Sequence, residues 1–153
     1  MKRFVAVVTL LALSASVGLG AVGGKKAEYI GGTLSTIEEK TEGTLSTQSD
    51  SEAIFETKKS KVAIPYASIT GLEYGQKAGR RVAVAVLVSP LALFSKKRKH
   101  YLTITFNDAK GTEQAAVFEL GKDVIRTTLT VLEVRSKKDV EYQDEEARKA
   151  GRN

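Results

Sequence analysis

The chain has 153 residues, no cysteine, one histidine and a formal net charge of +6. That length fits one domain of ordinary size, and the lack of cysteine removes thiol catalysis, cysteine-based zinc sites, iron–sulfur clusters, disulfide frameworks and a lipid-modified N-terminal cysteine together. A hydrophobic content of 42% with 27% charged residues is that of a globular protein and argues against wholesale disorder. The positive charge is concentrated: residues 77–100 carry +7 with no carboxylate, whereas residues 25–75 carry −2 and residues 101–153 carry −1.

The N-terminus begins Met1-Lys2-Arg3 and continues as an apolar run to Ala15, with small residues at Ser14, Ser16, Gly18 and Gly20. This pattern predicts a secretory signal over 1–20, cleaved after Gly20, and hence a periplasmic or extracellular, envelope-associated location. The alternative is an uncleaved anchor, because residues 4–22 are mostly apolar and just long enough to span a bilayer. Residues 18–23 spell a literal G-x-G-x-x-G. A dinucleotide site needs a buried strand before that motif and a helix after it. Here a leader precedes it and Lys25-Lys26 follow, so it reads as a leader end.

From 28 to 75 the pattern predicts short strands at 28–37, 44–47, 53–57, 62–66 and 68–74, with polar turns at 38–43 and 48–52. Pro65 marks a strand end or an edge. Short strands with turn chemistry between them signal an all-β barrel or sandwich. Gly-Thr-Leu-Ser-Thr occurs twice, at 32–36 and 43–47. Its period is too short for a repeat unit, so the two copies are read as strands of similar composition.

Residues 82–94 form a low-polarity run broken only by Ser89 and Pro90. Val82, Val84 and Val86 alternate with alanines as a strand would place them, while Ser89-Pro90 is a helix-start signal. Strand, helix and a strand turning into helix all stay open. As a helix the run spans about 20 Å, short of a bilayer core of about 30 Å. Burying its eight large side chains contributes roughly 12–24 kcal/mol gross, against about 1 kcal/mol for each flanking cation near an anionic lipid surface. Apolar burial therefore decides where the run sits, and the cations bias its orientation.

Residues 101–106 and 113–120 read as a hairpin around a turn at 107–111. Ala116, Phe118 and Leu120 share one face. Ile125, Leu129 and Leu132 recur at helical spacing and predict an amphipathic helix over 124–135. The tail, 136–153, is polar. It is read either as frayed or as a solvated helix supported by the i,i+4 pairs Asp144–Arg148 and Glu145–Lys149.

The fold class expected is thus mainly β with a C-terminal helix: a small barrel or sandwich of about seven strands over 28–135, with an apolar and basic insertion at 77–100. This order resembles the pleckstrin-homology-like (PH/GRAM-like) fold of bacterial domains. The specific likeness is Val62-Ala63-Ile64-Pro65-Tyr66-Ala67-Ser68-Ile69-Thr70-Gly71-Leu72, extended by the hairpin from Lys99 to Gly111 that runs on into the helix. The resemblance implies a small capped barrel used for binding. Phosphoinositide-binding members carry basic residues in the loop after the first strand. Here Glu38, Glu39 and Glu42 surround Lys40, so that ligand is not carried over.

Catalysis needs titratable groups gathered in a pocket. His100 is the only histidine, its basic neighbours are expected to lower its pKa, and no Gly-x-Ser-x-Gly elbow exists. Glu28, Glu73, Asp108, Glu113 and Glu119 are the strand carboxylates that could face a cleft. The expectation is a non-catalytic exported binding module without cofactor or metal. Its contact region is Arg80, Arg81, Lys96, Lys97, Arg98 and Lys99, and its partner is an anionic membrane surface or a protein. Nucleic acid is disfavoured, since the 77–100 stretch itself offers no aromatic stacking platform apart from Phe94 and Tyr101 just beyond it. The alternative is a structural or oligomeric envelope protein in which 82–94 is core or interface.

Overall fold

The computed structural model describes residues 24–76 and 99–152. The strands are β1 (Lys25–Gly32), β2 (Thr41–Ser46), β3 (Glu52–Glu56), β4 (Lys61–Pro65), β5 (Ile69–Gly75), β6 (His100–Asn107), β7 (Glu113–Leu120) and β8 (Val140–Tyr142). A 3-10 turn, Tyr66–Ser68, joins β4 to β5, and the helices are α1 (Lys122–Ser136) and α2 (Glu145–Gly151). The strands make one sheet in the order β4-β3-β2-β1-β7-β6-β5-β8. All neighbours are antiparallel except β5 and β8. The chain is therefore mainly β with a C-terminal helix, as its patterning requires, but its sheet is open, with β4 and β8 as edges.

The sheet nevertheless bends over itself. Phe55 on β3 and Phe118 on β7 are separated by two strands, which in a flat sheet would hold them roughly 14 Å apart. Their ring centroids lie 4.9 Å apart, and Tyr29 packs edge-on to Phe118 at 5.9 Å. One apolar core results, joining Leu45, Phe55 and Ile64 to Leu72, Leu102, Ile104 and Phe118. Pro65 ends β4, the 3-10 turn bridges to β5, and α1 packs on that turn. Ile125, Leu129 and Leu132, at the predicted helical spacing, are fully buried in the same core.

A second buried patch lies outside it. Ile30, Tyr101, Ala115 and Val117 are buried yet do not belong to the core cluster. On β6 and β7 they alternate with the core residues Leu102, Ile104, Ala116 and Phe118, so they occupy the outward face of the sheet.

Several expectations are corrected. The first strand runs from 25 to 32 and not from 28 to 37. Leu34 and Ile37 reach the core from the loop that follows. A bulge between Tyr29 and Gly31 shifts the register of β1 on β7, which resumes with Gly31 opposite Val117 and Gly32 opposite Ala116. Gly32 takes φ 149°, where an added Cβ would stand 2.1 Å from the Ala115 carbonyl oxygen. The repeated pentapeptide adopts two conformations: residues 43–46 lie in β2, whereas residues 33–36 are bends and turns. Of the two readings of the polar tail, the structure shows the helical one and not the frayed one, but the helix is docked and not merely solvated. The tail supplies β8, paired with β5, and α2, whose Ala147 is fully buried in the core. Asp144 caps α2 by accepting from the Ala147 amide at 2.7 Å, and Arg148 pairs with Glu145 at 2.5 Å.

The hairpin reads as expected. Asp108 Oδ1 accepts from the amides of Lys110 and Thr112, and Gly111 takes φ 78°. The signal at 1–20, the G-x-G-x-x-G at 18–23 and the apolar run at 82–94 lie outside the described residues.

Candidate functional site

Strands β5 and β6 pair with Gly75 opposite Tyr101, so Tyr74 and His100 meet at the end from which the 77–98 connection leaves and returns. Tyr74 Oη and His100 Nδ1 are 2.5 Å apart, and the rings stack with centroids 6.0 Å apart and planes 7° from parallel. Burial pushes the Tyr74 hydroxyl up to about 12, opposed in part by its hydrogen bond to Gln76. Burial also lowers the imidazole below its ordinary value, helped by the nearby Lys122 cation and opposed by Glu119. Near neutral pH both groups are uncharged, and their hydrogen bond satisfies both without a buried ion.

His100 and Gln76 open onto a cleft of about 1160 Å³, lined also by Lys122, Asp123, Arg126, Glu146, Lys149 and Ala150. Two helices bring these residues in. Lys122, Asp123 and Arg126 stand on the first turns of α1, whose N-cap, Gly121, offers no side-chain bond to the helix amides. Glu146 and Lys149 come from α2, which Arg126 ties to α1 through Nε donating to the Ala150 carbonyl at 2.9 Å. Three cations and two carboxylates face the cleft beside a helix N-terminus, an arrangement able to hold an anionic group. A nucleophile paired with a base is not among the described lining residues, and no cluster of described residues has metal-ligand composition.

Of the contact residues expected from sequence, Arg80, Arg81, Lys96, Lys97 and Arg98 lie outside the described residues. Lys99 is described: its Nζ donates to Glu119 at 2.6 Å, and that bond raises its pKa. The carboxylates singled out do not converge on the cleft. Glu28 and Glu119 stand on adjacent strands of the outward face. Glu73 accepts from Gln143, Asp108 shapes the hairpin turn, and Glu113 lies at the far end of β7. Sequence reasoning missed Tyr74, Gln76, Glu146 and Lys149. The spacing of Lys122 and Arg126 on one helix face was the readable signal. The α2 residues had none, because they join the cleft only through the docking of the tail. Neither the models of known protein families nor the curated proteins include a match to this chain.

Proposed function

We propose that this chain is a non-catalytic, exported binding module of the pleckstrin-homology-like kind. It associates with an anionic membrane surface through the 77–100 stretch. Seven antiparallel strands followed by a helix that packs beside the β4–β5 junction support the fold relationship. The observation that carries the functional reading is one of placement. The basic connection leaves at Gln76 and returns at Lys99-His100, and the cleft at that point already gathers Lys122, Arg126 and Lys149. Lys122, Arg126 and Lys149 thus gather at the end where the basic connection attaches, and clustered cations strengthen attraction to a charged surface.

The test is sedimentation with vesicles of mixed phosphatidylserine and phosphatidylcholine. Binding is expected at low salt and declines as salt rises. Reversing Lys96, Lys97 and Arg98 to Glu removes about 3 kcal/mol of attraction and adds repulsion from three carboxylates, so partitioning falls by about a hundredfold or more. Lys99 is left in place because it already pairs with Glu119. Absence of binding at low salt overturns the reading. The second reading, a structural envelope protein whose 82–94 run is core or interface, draws support from the buried outward face of β1, β7 and β6.

A further inference from the structure

The outward face of the sheet has the composition of an interior. Thr103 stands opposite Val117 and Thr105 opposite Ala115, so residues from β6 and β7 form one patch with Ile30 beside it. Tyr101 is 4% exposed, Thr103 8%, Ala115 0% and Val117 1%. An antiparallel sheet with one solvated face shows polar residues there. The described elements do not supply a cover. Helix α1, through Ile125, Leu129 and Leu132, and α2, through Ala147, belong to the core cluster on the other side, and β8 extends the edge.

We propose that this face is the seat of residues 82–94 of the same chain. Adjacent antiparallel strands are joined by about two to five residues in an ordinary hairpin, yet residues 77–98 intervene between β5 and β6. Both ends of that connection lie beside the patch, because Gly75 pairs with Tyr101 and Lys99 bonds to Glu119 on the same face. The run is long enough: thirteen helical residues cover about 20 Å, while the patch from Tyr101 to Thr105 is about 13 Å along the strand. The charges agree as well. Glu119, Glu28 and Glu42 stand in register on three adjacent strands above the patch. That carboxylate row is complementary to the cations that flank the run in sequence, one of which, Lys99, is already on Glu119, while Glu42 is met by Lys26 of β1 at 3.3 Å. The assignment does not rest on membrane binding, which can fail while it stands.

The chain has no cysteine, so a disulfide reports proximity without background. In the full-length chain, Val117→Cys is combined in turn with Val84→Cys, Val86→Cys and Val88→Cys and oxidised at low concentration. A bond forms only where Cβ atoms come within about 3.5–4.5 Å. At least one pair is expected to close within the monomer, identified by peptide mass, while pairs made with Val134→Cys on the exposed face of α1 (72% exposed) stay open. As a single substitution, Val117→Cys is expected to label with a thiol reagent about tenfold or more slowly than Val134→Cys. If Val117→Cys fails to fold, Thr103→Cys replaces it. Closure with Val7→Cys in the leader instead, a linked dimer, open pairs throughout or fast labelling of the patch cysteine each overturn the assignment.

Discussion

The Tyr74–His100 pair fixes how this end of the domain responds to pH. Burial holds the imidazole below its ordinary value of 6.5, with Lys122 lowering it further and Glu119 opposing. The folded state therefore prefers the neutral ring. Stability is full above the unfolded value and falls as pH drops through the depressed folded value, because the unfolded chain then takes a proton that the folded chain resists. The urea midpoint is expected to decline from about pH 7.5 to about pH 5.5 in the natural chain and to decline less in His100→Gln. A second variant separates charge from hydrogen bonding: Tyr74→Phe leaves the buried Nδ1 without its partner and costs about 1–3 kcal/mol at neutral pH. Equal slopes for the natural chain and His100→Gln would show that the imidazole does not govern the acid response. The sequence marked His100 as perturbed by its basic neighbours. It could not show that burial dominates, since that depends on Tyr74, brought alongside by strand register.

At the scale of elements, the seam between α1 and the β2–β3 turn depends on Arg135 in the last helical turn. Its NH1 donates to the Thr47 carbonyl and to the Ser49 carbonyl, NH2 pairs with Asp50 at 2.9 Å, and the guanidinium lies over the Tyr66 ring at 5.5 Å. A lysine keeps the charge but loses the planar fork and the stacking, so Arg135→Lys is expected to lose about 2 kcal/mol. The check is the denaturation midpoint, and a change inside the ordinary surface range of about 0.5 kcal/mol would refute the clamp. Elements with strong local periodicity were legible from sequence: β7 and the core face of α1 follow the pattern almost residue for residue. The elements that escaped depend on distant partners. The first Gly-Thr-Leu-Ser-Thr turns where the second extends, because Gly32 meets the Ala115 carbonyl while Gly43 pairs within β2 and its neighbours. Likewise α2 forms where Gly151 lets the chain approach Tyr142 and Tyr74, a Cβ there falling 2.6 and 2.9 Å from their rings. Neither contact has a trace in local composition.

For the whole molecule, the decisive comparison is between two free energies of opposite sign when the β5–β6 connection is shortened. Replacing residues 77–98 by a short glycine-containing turn removes most of a loop, and at about 0.6 kcal/mol per halving of length this favours folding by roughly 2 kcal/mol. A naked outward face would leave that gain visible as a more stable domain. If residues 82–94 cover the face, the replacement also uncovers Ile30, Val117 and much of Tyr101, which lie at 3%, 1% and 4% exposure. At about 1.5–3 kcal/mol for each fully buried apolar side chain, that loss is roughly 4.5–9 kcal/mol and exceeds the loop gain. The shortened chain is expected to be less stable by about 3 kcal/mol or more, with stronger binding of an apolar dye and a tendency to self-associate through the patch. It is also expected to lose binding to anionic vesicles, since the removed stretch carries six cations and no carboxylate. Denaturation midpoint, dye fluorescence and vesicle sedimentation on one variant thus separate the two roles. A more stable domain that has lost only vesicle binding would make the connection a surface anchor and nothing more, whereas an unstable one that still binds vesicles would make it a structural cover and place the anionic contact on Lys122, Arg126 and Lys149.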